Sequence, residues 1–374
     1  MARFQVAIAR GDDYSRLNDA FAELKQKAGL AAFAEKVRGK KVLVKPNMLG
    51  TFKPDLNVTT NPELVRLVVR WLRSAGAEVM VGDNCGMGGY GINERAARIT
   101  GILEASEGAY LNIARDLKEI EVSSRFFKKL MVSRPILEAD FIVNLPKLKT
   151  HTLTLLTVGI KNMFGMVAGA GKSRVHALAP AVETFGEAIA DIFQVRPPDL
   201  CIVDGVMGMD GNGPTWGRSR RMGCLIASEN SPAADLVIAK MAGLDPKEVH
   251  HLWITAERGL GPKQIEEVEI NGELRPIPRF KPPTTIARRR FLSFFVKQFV
   301  YQPIIKSRLL LNPDKCSGCK ICLESCPTRA MGWNQDHPEI DQEKCIRCFC
   351  CYELCGEGAW EVAGLLKRMR GKLV

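Results

Sequence analysis

Over the first two thirds of the chain, short apolar runs alternate with longer amphipathic ones. Residues 41–45 read Lys-Val-Leu-Val-Lys, 78–82 Glu-Val-Met-Val-Gly, 140–145 Asp-Phe-Ile-Val-Asn-Leu and 199–204 Asp-Leu-Cys-Ile-Val-Asp. Runs this short and rich in β-branched residues predict buried strands. Residues 3–10 alternate and predict an edge or first strand, and 223–227 are strand-like. Residues 267–270 predict a hairpin arm turning at Asn271-Gly272. Weaker strands fall at 109–113 and 119–123. Between the strands, residues 15–37 place Leu17, Phe21, Leu24 and Ala28 on one helical face. A helix from Asn61 to Ala75 has Asn61 as N-cap and Pro62 in its first turn. Further helices are predicted at 91–106, 154–164, 180–195, 231–241 and 247–258, with loops at 165–171 and 205–217. The alternation predicts an α/β domain over residues 1–273, doubly wound, with a mostly parallel sheet covered on both faces.

From Leu274 the pattern breaks into a proline- and arginine-rich connector, 274–308. It holds Arg275, Arg279, Lys281, Arg288, Arg289, Arg290, Lys297, Lys306 and Arg308 and no acidic residue. Most of the formal net charge of +12 therefore sits in this strap, and the body is near neutral. That distribution argues against a nucleic-acid-binding body. Residues 291–305 predict an amphipathic helix packing against the body; the flanking arginines also fit contact with a membrane surface. No uninterrupted apolar run has the length of a membrane span. The N-terminal residues enter a strand directly, without an export signal.

Residues 309–363 carry the clearest chemistry. Cys316, Cys319, Cys322 and Cys326 are spaced C-x2-C-x2-C-x3-C, and Cys345, Cys348, Cys351 and Cys355 repeat the spacing. Two such runs predict a bacterial-type ferredoxin domain with two [4Fe–4S] clusters, in which the fourth cysteine of each run serves the other cluster. The expected sets are Cys316, Cys319, Cys322 with Cys355, and Cys345, Cys348, Cys351 with Cys326. Disulfides or zinc fit this interleaved pattern poorly. Cys350 falls outside the spacing and reads as a packed thiol, and Gly356 stands where such domains often have proline. Cys85, Cys201 and Cys224 show no disulfide-type spacing, so the cysteine usage fits a reducing cytoplasm. A basic tail, 364–374, ends the chain.

In an open parallel sheet, ligands sit beyond the carboxyl ends of the strands. Polar residues recur there: Lys45 and Asn47, Asp83, then Lys147, Lys149 and His151, and Asp204. Lys161, Asn162, Lys172 and His176 stand in adjoining segments. Lys45, Asn47, Lys147, Lys149, Lys161 and Asn162 suit an anionic substrate. His151 and His176 are candidate acids, with Asp83 and Asp204 to orient them or a metal. Each of these, taken singly, also reads as a turn, cap or core residue. Gly86-Met-Gly88-Gly89-Tyr-Gly91 matches G-x-G-x-x-G, but Asp83 disfavours a pyrophosphate, and Gly171-Lys172-Ser173 lacks the register of a P-loop.

The segments Val44-Lys45-Pro46-Asn47, Asp140 through His151, Gly159 through Gly165 and Asp204-Gly205 resemble the domain of unknown function 362. That family often carries a C-terminal ferredoxin module. The resemblance implies an iron–sulfur protein and fixes no reaction. One reading is a cytoplasmic oxidoreductase that takes electrons from a soluble ferredoxin and reduces an anionic small molecule at the strand-end rim. Another is an electron carrier or subunit without its own active site, and a third a redox protein at a membrane surface.

Overall fold

The computed structural model describes residues 4–86, 91–285 and 308–363. The expected helix at 291–305, most of the basic strap, Gly88 and Gly89 of the glycine run, and the C-terminal tail lie outside the described residues. Among the described residues, no helix is long and apolar enough to cross a membrane.

Period-two alternation splits each central strand between two cores. In β1 (Phe4–Arg10), Val6 and Ile8 enter one core and Ala7 and Ala9 the other. In β2 (Lys41–Pro46), Leu43 opposes Val42 and Val44. Two-sided burial requires cover on both faces. Helices Leu17–Lys27 and Pro62–Ser74 cover one, through Phe21, Leu24, Val65, Val68 and Leu72. Helices Val182–Phe193, Ser231–Met241 and His250–Glu257 cover the other, through Phe185, Ile189, Ile238 and Leu252. The Asn61 cap forms as expected, its side chain accepting from the Glu63 N–H at 2.9 Å.

The remaining strands of the body are β3 (Glu78–Val81), β4 (Leu117–Glu121), β5 (Lys129–Ser133), β6 (Phe141–Leu145), β7 (Lys147–His151), β8 (Leu155–Thr157), β9 (Leu200–Asp210), β10 (Arg218–Ser228) and β11 (Val268–Asn271). The central order is β11-β1-β10-β9-β6-β2-β3. β2 runs parallel to β3 and β6, β6 to β9, and β1 to β11, whereas β10 is antiparallel to both neighbours. The sheet is thus largely parallel, with two reversed strands, β10 and, beyond β7, β8. β1 is interior rather than an edge, and β11 pairs with it in parallel instead of forming a hairpin arm. The strand from Leu200 continues to Asp210, through the predicted loop, because β10 pairs along its whole length. The helix expected at 154–164 is instead β8, the short helix Gly159–Asn162 and a 3-10 turn over Met163–Met166. β7 and β8 form a hairpin whose β7 also pairs with β9.

In the C-terminal module, β12 (Arg308–Leu311) pairs with β15 (Trp360–Ala363), and β13 (Met331–Asn334) with β14 (His337–Ile340). Its short helices are Ile321–Glu324 and Cys350–Leu354. Met331, Phe349, Tyr352 and Trp360 form its core.

A buried ion pair ties the body together. Lys147 Nζ lies 2.9 Å from Asp204 Oδ2 and 2.6 Å from the Tyr14 hydroxyl, which donates to Asp204 Oδ1 at 2.8 Å. The Asn61 N–H also donates to Asp204, at 2.8 Å. Removing one partner leaves a buried charge uncompensated. Asp204→Ala should therefore cost about 3–5 kcal/mol, read as a large fall in the thermal midpoint under anaerobic conditions. Glu229→Ala, which breaks the exposed pair with Lys36, should cost less than about 1 kcal/mol. Equal shifts for the two variants would contradict this account.

Candidate active site

The strand ends deliver several ammonium groups into the interior. Lys45, at the end of β2, is fully buried and pairs with Asp83 at 2.7 Å, while also donating to the Asn162 carbonyl at 2.5 Å. Asp83 accepts from the Met48 N–H at 2.9 Å. A Cβ on Gly165 would collide with Asp83 Oδ1 and stand 2.6 Å from Lys45 Nζ, so backbone can cover this pair only at glycine. Lys149, on β7, donates to Asn47 Oδ1 at 2.8 Å and the Val58 carbonyl at 2.6 Å. Lys172, in the helix Ala170–Leu178, donates to the Asn84 and Cys85 carbonyls, both at 2.6 Å. Lys161 stands over Phe164 and Phe185, at 5.6 and 5.8 Å.

These groups surround one small cavity of about 80 Å³. Asn47, Asp83, Lys149, His151, Lys161, Asn162 and His176 of the sequence-predicted set line it. Lys45 stands behind Asp83, and Lys147 and Asp204 form their own pair, so these three are not on the wall. Among the described residues, no cluster of three or more His, Cys, Asp or Glu side chains is arranged to hold a single metal ion.

Burial sets the protonation of this cavity. It brings Lys149 down to about 7, aided by Lys161 and Lys147, and Lys172 to about 8, opposed by Asp83. It also lowers Lys161. Burial takes His151 well below the ordinary imidazole value and His176 to about 3. Both imidazoles are therefore neutral near pH 7. His151 Nδ1 accepts from the Leu153 and Thr154 N–H groups at 3.1 and 3.4 Å, which leaves the hydrogen on Nε2. His176 stacks on Phe185 at 4.2 Å, and its Nδ1 has no hydrogen-bond partner among the described residues.

One wall of the cavity comes from the cysteine-rich module. Glu353 and Leu354, in the helix Cys350–Leu354, line it directly. Glu353 Oε1 lies 3.2 Å from His151 Nε2, without the alignment of a hydrogen bond. Burial raises this carboxyl to about 7, opposed by Lys161 and Lys149. Three bonds dock the helix onto the β9–β10 connection. Thr215 Oγ1 donates to the Glu353 carbonyl at 2.8 Å, Trp216 Nε1 to the Cys355 carbonyl at 3.0 Å, and the Tyr352 hydroxyl to the Asn212 carbonyl at 2.6 Å. Sequence reasoning missed Glu353 and Leu354, because nothing local marks a residue beside a cysteine run as facing a distant lysine cluster. Phe164 and Asn84, also on the wall, had only the polar and glycine-rich character of their segments to mark them.

The cysteines of the module lie close together. Cys326, Cys345, Cys348, Cys350 and Cys351 line a single, otherwise largely apolar cavity with Leu309, Met331 and Ile340. Cys322 lies in the electrostatic reach of Cys319 and Cys355. In each run the backbone turns through positive φ at equivalent places: Gly318 and Lys320, Arg347 and Phe349. Cys326 Sγ accepts from the Ala330 N–H at 3.2 Å and Cys355 Sγ from the Ala359 N–H at 3.3 Å. Five thiols around one apolar cavity, four of them at the predicted spacing, fit an iron–sulfur cluster. Cys350 is buried beside Cys348 and borders the same cavity.

A fold of this kind, joined to such a module, defines an iron–sulfur protein built on an α/β body. The chain belongs to the family described as "Domain of unknown function (DUF362)", whose model matches residues 42–240, and it carries a 4Fe-4S dicluster domain over residues 308–356. It is 34% identical over 236 residues to the thylakoid-associated protein sll1697 of Synechocystis sp., covering 61% of this chain and 71% of that one. Over 47 residues it is 43% identical to a subunit of the ion-translocating oxidoreductase complex of Methanosarcina acetivorans, covering 13% of this chain and 18% of that one. Among solved structures it is similar to the lactate racemase apoprotein of Thermoanaerobacterium thermosaccharolyticum, at 12% identity and a TM-score of 0.44, covering 64% of this chain and 57% of that one. The dicluster domain gives the protein an iron–sulfur electron-transfer role.

The lowered ammonium values are directly measurable. An amine reacts with cyanate only when unprotonated, so reactivity appears above its pKa. Competitive labelling should show Lys149 half-reactive near about 7 and Lys172 near about 8, well below exposed lysines. Titration of both together with the exposed lysines would contradict the burial described.

Proposed function

We propose that the protein is an oxidoreductase in which the lysine-lined cavity holds a small anionic substrate and the module supplies electrons to it. The observation that carries the reading is the shared wall: the helix that begins among the cysteines ends at the substrate cavity, with Glu353 against His151. Cys316, Cys319, Cys322 and Cys355 would hold one [4Fe–4S] cluster, and Cys345, Cys348, Cys351 and Cys326 a second. Bound clusters of this kind supply electrons singly at low potential. A soluble ferredoxin is the proposed donor.

The side chains divide the remaining work. Lys149, Lys161 and Lys172 attract the anion, and Asn47 and Asn162 orient it. His151, neutral and with its hydrogen on Nε2, donates a hydrogen bond rather than acting as a cationic acid. Lys149 is the group whose pKa lies near neutrality, so it can return a proton to the reduced substrate. His176 Nδ1 accepts a hydrogen bond from the ligand. Asp83 holds Lys45 and, through it, the Asn162 carbonyl; Lys147 and Asp204 hold the strand ends in place.

The test is anaerobic turnover. Protein reduced by a ferredoxin should be reoxidised by a small anionic acceptor. Lys149→Met should lower that rate by about 10²-fold or more while the visible absorbance and iron content are retained. Because the folded Lys149 is protonated only below about 7, anion affinity should weaken as pH rises through that value. In Lys149→Met this dependence should shrink, leaving the part that Glu353 and Lys172 contribute. Wild-type rates in Lys149→Met would leave the cavity without the role proposed for it.

A further inference from the structure

A second cavity lies against the first. It offers about 260 Å³ and is lined by Thr51, Phe52, Arg95, Ile321 and Glu324, among others. Its lining reaches the surface, since Arg95 and Glu324 are exposed. Nearly all of the inner cavity's lining is buried or half-buried. The two cavities share Leu49, Gly86 and Leu354. These three residues are therefore the partition between them.

The partition is tightly built. A Cβ at Gly86 would collide with Leu354 Cδ2 and come 3.1 Å from the Leu49 carbonyl oxygen, so the leucine side chain occupies the space that any other residue at 86 would fill. The Gly86 N–H donates to the Leu49 carbonyl at 2.7 Å, which fixes the body's side of the wall. The module's side is one flexible apolar side chain. Leu354 rests on Cys348, Cys350 and Ile346 and is only half-buried. Backbone holds two of the three partition residues together, and a leucine rotamer closes the gap between them.

We infer that Leu354 is the specificity-determining residue of the site: it admits small anions from the outer cavity to the lysine cavity and excludes larger ones. The inference rests on the reading of the lysine cavity as a substrate site. It adds the route and the size limit. A substrate passes Arg95 and Phe52, displaces Leu354 from Gly86, and meets Lys149 and Lys161 beyond it. The substrate class is then a small, compact anion, with no bulky group carried through the partition.

Access can be measured without turnover. In the cluster-loaded protein near neutral pH, cyanate and the bulkier trinitrobenzenesulfonate are allowed to react, and labelling of Lys149 is mapped by mass spectrometry against exposed Lys36. Leu354→Ala should raise the trinitrobenzenesulfonate rate at Lys149 by at least about tenfold, and Leu354→Trp should lower the cyanate rate by a similar factor. Leu49→Ala, which opens the partition from the body side and lies far from the cysteines in sequence, should reproduce the first effect if Leu354→Ala fails to retain its clusters. Unchanged Lys149 labelling in Leu354→Trp and Leu49→Ala would overturn the inference. Altered labelling in a protein that shows no turnover with any anion would keep the partition and remove the substrate reading instead.

Discussion

Buried positive charge is the constraint on which this structure turns. Lys45, Lys147 and Lys149 are among the most deeply buried side chains of the body, and Lys172 is nearly as enclosed. An ammonium group removed from water must find oxygen or give up its proton. Lys45 and Lys147 find carboxylates, in Asp83 and Asp204, and keep company with the strands they leave. Lys149 and Lys172 find only neutral oxygens, from an asparagine side chain and backbone carbonyls. The first pair is structural and the second is poised. The same residue type, on strands and on the helix Ala170–Leu178, thus sits in two different electrostatic settings, decided by whether a carboxylate lies within hydrogen-bonding reach.

The iron–sulfur module has a place in this arrangement beyond carrying electrons. It contributes Glu353 and Leu354 to the cavity and seals one side of it. The docking bonds involve backbone carbonyls of the module at Glu353 and Cys355. They therefore position the helix axis and leave its side chains directed at the body.

The architecture was legible in sequence where local pattern and tertiary environment agreed. The buried strands around Val44, Val143 and Val203, the Asn61 cap and both cysteine runs fall into that class, because β-branched runs, caps and ligand spacing are local signals. The reading failed where long-range pairing overrode local character. Residues 205–210 are glycine-rich and looked like loop, yet pairing with β10 holds them in strand. Residues 155–157 looked helical, yet β7 recruits them into a hairpin. For the site, position at strand ends picked out Asn47, Asp83, Lys149 and His151, which line one cavity. It could not separate them from Lys147 and Asp204, which carry the same chemistry but consume it on each other. Nor could it find Glu353, whose relevance exists only once two domains meet.

The shared wall also ties the two parts of the chain together at one point. The cavity's lining is drawn from strand ends of the body and from a helix that lies between Cys348 and Cys355 of the module. A shift of the module on the β9–β10 connection would therefore be felt at His151, through Glu353, and at Gly86, through Leu354, at the same time.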